Sequence, residues 1–108
     1  MRNVLCTGLL LSGLAFAQGK GDAAKGKALF DEKAEPVCGV CHNADSVEKK
    51  MGPGLKGLFA KAKLKNGKKP SDAAIKEIII KGGGGMPGYE DTLKPADMEN
   101  ILAYLRTL

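Results

Sequence analysis

A chain of 108 residues builds one small domain and leaves no room for a second. It is basic, with 17 lysines and arginines against 12 acids, but it has few aromatics and no arginine–aromatic interleaving, which argues against nucleic-acid recognition. Ten lysines fall between Lys49 and Lys81, and read either as a solvated face or as a surface for acidic partners.

The first stretch is expected to be a cleaved signal peptide. Arg2 supplies the positive end, Val4 to Phe16 is almost wholly apolar, and Ala15-Phe16-Ala17 offers small residues at a cleavage site. The apolar run is shorter than the roughly 20 residues that span a bilayer. Nothing small precedes Cys6, so a lipidated cysteine is disfavoured. Cleavage after Ala17 makes residues 1–17 the signal and 18–108 the domain, and lowers the formal charge from +5 to +4. The domain then holds two cysteines, Cys38 and Cys41. A disulfide between them would close a tiny loop and constrain little, so a domain this small needs another staple.

In chain order, a helix is predicted from Asp22, with Ala23, Gly26 and Phe30 spaced three and four apart. Gly26 marks either a close helix crossing or a poor helix. A polar loop, Asp31 to Pro36, leads to Val37-Cys38-Gly39-Val40-Cys41-His42. Residues 43–57 read as loop, and Leu58 to Lys65 as a short helix with Phe59 and Ala62 on one side. Asn66-Gly67 is a turn. Ser71 is the expected N-cap of a helix that presents Ala74, Ile75, Ile78 and Ile79 and stops at Gly82. Four glycines then precede Met86-Pro87-Gly88-Tyr89, a loop because Pro87 biases Met86 away from helical geometry. Pro95 opens a last helix with Met98, Ile101, Leu102 and Leu105 on one stripe. With no alternating strand pattern, the class is all-α.

Cys38-Gly39-Val40-Cys41-His42 carries the chemistry. Two thiols two residues apart, followed at once by imidazole, match the attachment site of c-type haem, where each thiol adds to a vinyl group and the histidine reaches iron. A redox dithiol expects a βαβ context that is missing, and a zinc site needs four ligands where the domain has two cysteines and one histidine. The second axial position decides the role: open iron suits small ligands, and a protein ligand suits electron transfer. No second histidine exists, which leaves methionine. Met98 fits the core stripe, Met51 follows His42 in a loop on the histidine side, and Met86 stands on the glycine-freed loop.

With these residues in place the chain resembles the class I c-type cytochromes, in the small bacterial monohaem branch, over essentially residues 18–108. The Cys38 to His42 segment looks like their haem-attachment motif, and Met86-Pro87-Gly88-Tyr89 like their distal-ligand loop. Gly52-Pro53-Gly54-Leu55 is similar to their Gly-Pro-x-Leu segment, and Gly26 and Phe30 to the first-helix positions that cross the last helix near Leu102 and Tyr104. The resemblance implies a small cytochrome c fold, three main helices plus a short one and loops around one covalent haem c. It implies His42 and Met86 on the iron, and Cys38, Cys41, Pro53, Leu55, Phe59 and Tyr89 beside them in the haem-binding set. The Pro53 carbonyl would serve the far nitrogen of His42. Gly54 stands where many relatives carry a bulkier polar residue, and the glycine run suggests a mobile distal side.

The expected role is a periplasmic, monomeric one-electron carrier, not an enzyme. Its partners would be redox proteins with acidic docking faces, met by some of Lys49, Lys50, Lys56 and Lys81, with no nucleic acid and no stable membrane insertion. A haem c subunit of a larger dehydrogenase or oxidase, or a haem-based ligand binder, are the alternatives.

Overall fold

The computed structural model describes residues 21–108; the expected signal segment, with Arg2, Cys6 and the expected cleavage site after Ala17, lies outside them. Helix α1, Ala23–Ala28, starts where Asp22 caps it: the carboxylate accepts from the backbone N–H groups of Ala24 at 2.8 Å and Lys25 at 3.2 Å. The Asp22 backbone N–H donates to Asn100 Oδ1, which ties the entry of α1 to the last helix.

The expected loop from Asp31 is helical for another turn. α1 runs on as a π-helical turn, Leu29–Lys33, closed by the Ala34 N–H on the Leu29 carbonyl at 3.0 Å. The wider turn brings Ala34 round to the side of Leu29 and Phe30, and all three are buried. A gain in burial thus carries the helix past its polar residues.

The expected short helix from Leu58 to Lys65 shrinks to a single 3₁₀ turn, Leu58–Ala60, and Ala62 is exposed. Beyond Ala60 alternate lysines offer nothing to bury except Leu64. That side chain is buried as a peg, and the chain reverses at Asn66-Gly67 with the Leu64 N–H on the Lys68 carbonyl at 2.8 Å.

Helix α2, Asp72–Lys81, is capped by Ser71, whose Oγ accepts from the Ala74 N–H at 3.0 Å. It buries Ala74, Ile75 and Ile79, with Ile78 half-buried. Helix α3, Pro95–Leu105, opens with proline in its first turn and the Lys94 N–H bonded to Asp97. It supplies the centre of the core through Met98, Ile101, Leu102, Tyr104 and Leu105. Arg106 grips Asp72 with two nitrogens, at 2.6 and 3.1 Å, and Lys76 faces Glu99 at 3.7 Å, so α2 and α3 are laced at the surface.

Helices α1 and α3 cross where Gly26 lies against the backbone of Asn100; a β-carbon there would also stand 2.8 Å from Cβ of Tyr104. Gly26 is therefore the close crossing. Phe30 packs edge-on against the Tyr104 ring, centroids 5.5 Å apart, a geometry worth about 1 kcal/mol beyond its buried area. Among the described residues there is no strand, only an isolated bridge between Gly83 and Met86. The fold is all-α.

Candidate haem-attachment site

Extended Val37 delivers the chain into a 3₁₀ turn, Cys38–Val40. The Cys38 carbonyl collects two donors, the N–H of Cys41 at 3.1 Å and of His42 at 3.0 Å. One tight turn thus carries both thiols and the imidazole. Neither cysteine is in a disulfide, and both are partly buried. Burial pushes the Cys38 thiol up, an effect offset in part by the Tyr89 hydroxyl beside it.

His42 is oriented by the loop on its C-terminal side. Its Nδ1 lies 2.8 Å from the Pro53 carbonyl oxygen. A carbonyl only accepts, so Nδ1 carries the proton and the Nε2 lone pair is left for a metal. The Gly52 N–H donates to the Cys41 carbonyl and the Leu55 N–H to the Asn43 carbonyl, both at 2.7 Å, which fastens the loop on either side of the ring. Gly52 itself lies flat against the imidazole; a β-carbon there would sit 2.5 Å from Cε1 and 2.9 Å from Nδ1. Lys50 Nζ adds a bond to the Gly39 carbonyl at 2.9 Å.

The same loop accounts for Gly54. Segment 46–48 folds over it, so a β-carbon at Gly54 would lie 2.5 Å from the Val47 carbonyl carbon and 2.7 Å from the Glu48 oxygen. Backbone occupies the space that a larger side chain would need. Asn43 Nδ2 holds that segment through the Glu48 carbonyl.

The three methionines part company. Met98 is buried in α3, as its stripe implies. Met51 is 77% exposed with its sulfur 3.7 Å from Cys41 Sγ, on the histidine side. Met86 is half-buried and packs on the core, as do Cys38, Phe59 and Ile78; Leu55 is buried within it. Tyr89 is buried too, and its hydroxyl donates to the Pro36 carbonyl at 2.6 Å, joining the methionine loop to the attachment segment. Burial first, and then the adjacent Cys38, push the Tyr89 hydroxyl upward, so it stays a donor. The Tyr89–Pro36 link and the packing of Gly52 on His42 carry no local signature, because each depends on residues brought together only by the fold.

These residues fit a covalently held haem. Two unbridged thiols share one turn with an imidazole whose outer nitrogen is free, and no polar or charged residue is buried in the core among the described residues. Half-buried Phe59, Ile78 and Met86 provide apolar surface of the kind that a porphyrin would cover.

Known proteins agree. The family described as cytochrome C oxidase, cbb3-type, subunit III matches residues 21–105. The chain is 36% identical to cytochrome c6 of Synechocystis sp. over 84 residues, a match that takes in 78% of this chain and 63% of that protein. It also superposes on the c-type cytochrome SorU from Sinorhizobium meliloti with a TM-score of 0.59 and 26% identity, over 79% of this chain and 87% of that one. The chain belongs to the cytochrome c family, as a small class I c-type cytochrome, and with that family goes one covalently attached haem c, for which Cys38, Cys41 and His42 supply the C-x-x-C-H motif.

Proposed function

We propose that the protein is a single-haem electron carrier exported from the cytoplasm, with His42 and Met86 as the two axial ligands of the iron. The observation that carries this reading is the His42–Pro53 bond, which holds the ring and raises its strength as a donor while leaving Nε2 free. When bound, the haem supplies the reversible ferric–ferrous couple. The protein's own part is to present His42 and the Met86 thioether, to exclude water with Leu55, Phe59 and Tyr89, and so to set the potential. We read the protein as a carrier, not an enzyme.

Optical spectra of the periplasmic protein in the ferric, ferrous and ferrous-plus-carbon-monoxide forms test the ligand set. Low-spin bands, a ferric methionine-to-iron charge-transfer band and indifference to carbon monoxide are expected. A high-spin spectrum that shifts with carbon monoxide would make ligand binding the better reading. The mass of the exported protein tests the leader, with a chain starting at Gln18 as the expected product.

Partners are expected to be redox proteins with acidic faces. Lys49, Lys50 and Lys56 are exposed in the segments around His42, and exposed Lys81 borders the Met86 loop. Association rates should fall as ionic strength rises; a flat response removes steering. The description of the matched family favours a second reading, a haem subunit travelling with a larger oxidase or dehydrogenase. Purification without a partner enzyme supports the free, monomeric carrier, and stoichiometric co-purification supports the subunit.

A further inference from the structure

We infer that Met86 is positioned by a clamp made of Gly82, Gly88 and Tyr89, and that the glycine run divides into this packed base, to which Gly83 is hydrogen-bonded, and a free tip at Gly84 and Gly85. The inference rests on the reading of Met86 as an iron ligand.

The four consecutive glycines share a positive φ but not an environment. Gly82 ends α2 with its N–H on the Ile78 carbonyl at 2.7 Å, at φ 69° and ψ −157°. That region is open essentially to glycine alone. A side chain there would run into the Met86 carbonyl and stand 2.6 Å from the Gly88 nitrogen. Gly82 is thus pressed against the backbone that leaves Met86, from its carbonyl to the Gly88 nitrogen. Gly88 closes the clamp from the other end, since a β-carbon on it would lie 2.6 Å from the Ile80 oxygen and 2.9 Å from that of Lys81. Gly88 has no positive φ, so its requirement is space alone.

Hydrogen bonds complete the base. Met86 exchanges two with Gly83, its carbonyl accepting at 2.9 Å and its N–H donating at 3.1 Å. The Tyr89 N–H reaches the Ile79 carbonyl at 2.9 Å, and its hydroxyl reaches Pro36. At Gly83, Gly84 and Gly85, by contrast, a β-carbon would meet nothing within 4 Å. Gly83 is held through its hydrogen bonds alone, and Gly84 and Gly85 form the free tip of the turn.

The consequence concerns how firmly the thioether is held. A methionine ligand exchanges between bound and released states, and the protein biases that equilibrium by limiting where the backbone can go. The mobility expected of a glycine run then belongs to the tip, while release of Met86 requires the base to open.

The test compares Gly88→Ala and Tyr89→Phe with Gly84→Asn in the haem-loaded protein. Gly84, at φ 60°, lies where asparagine is tolerated. Tyr89→Phe adds no bulk, so it reports even if Gly88→Ala folds badly; thermal melting monitors folding separately. Gly88→Ala should weaken the ferric charge-transfer band, lower the reduction potential and tighten carbon monoxide binding about tenfold or more, because the released state gains population. Tyr89→Phe should shift all three less and in the same direction, and Gly84→Asn should match the unaltered protein. Wild-type band, potential and carbon monoxide response in both Gly88→Ala and Tyr89→Phe would overturn the clamp. So would a Gly84→Asn protein as perturbed as Gly88→Ala. An unaltered protein with no charge-transfer band would overturn the ligand assignment itself, and the clamp with it.

Discussion

The two loops proposed to carry the iron ligands are held in different ways. On the histidine side, residues 38–55 are knitted by hydrogen bonds: Cys38 to Cys41 and His42, Cys41 to Gly52, Asn43 to Leu55, and the ring itself to Pro53. On the methionine side, the hydrogen bonds of residues 82–89 run through the main chain and Tyr89, none of them to the Met86 side chain, and backbone packed on backbone at Gly82 and Gly88 completes the hold. An imidazole has a second nitrogen through which the protein can hold it. A thioether has no such handle, so the chain can hold it only by restricting the main chain that bears it. The contrast arises from the chemistry of the two side chains.

The most drastic way to break the histidine side is to remove its thiols. Cys38→Ala with Cys41→Ala should abolish haem retention on a denaturing gel and leave a chain with little cooperative unfolding, since the core loses its staple. On the other side, Met86→Ala should leave the haem attached but produce a high-spin ferric spectrum and a ferrous form that takes up carbon monoxide. Loss of a half-buried side chain there should also lower stability by about 2 kcal/mol, measured by denaturant titration. If Met86→Ala kept low-spin bands, another ligand would be in place. Met51, exposed beside Cys41, would then be the residue to replace next.

Gly52→Ala is a smaller and sharper probe. Its new methyl group would press on the His42 ring, so the ring must tilt or the loop must move, at about 1–2 kcal/mol. Reduction potential should shift while the methionine charge-transfer band stays. A change in the band without a change in potential would mean that strain crosses to the other side and that the two loops are not independent.

How much of this was readable in advance differs between the two sides. The C-x-x-C-H run is local, since one turn carries all three reactive groups, and its spacing is enough to find it. The cap at Ser71 and the stripe on α3 are local too, and the structure places them as expected. The continuation of α1 through Lys33 escaped because it depends on Ala34 finding a core to enter. The loss of the helix after Ala60 has the complementary cause, since only Leu64 had anywhere to go. For the glycine run, composition announced freedom, yet whether a glycine is free or packed depends on which backbone arrives beside it. Gly82 could be read as the helix stop, but nothing in the sequence marks it as packed where Gly84 is free.

The smallest expected effect lies just outside the methionine loop. Glu77 on α2 bonds Lys68 at 2.8 Å and Lys81, the residue before Gly82, at 3.2 Å. These bonds to Lys68 first, then Lys81, hold its carboxyl below the ordinary value of 4.5. A carboxylate with a lowered folded-state pKa stabilises the fold above its unfolded-state pKa, and that contribution disappears as pH falls through the folded-state value. Glu77→Gln should therefore melt slightly lower than the unaltered protein near neutral pH, and the two should converge in acid. The difference should also shrink with added salt, because all three side chains are solvent-exposed. The charge-transfer band should not move in either protein, because the clamp fixes Met86 through Gly82 and Gly88 and makes no use of the Lys81 side chain. If the band weakened in Glu77→Gln, the surface pair would have to be counted as part of the methionine side.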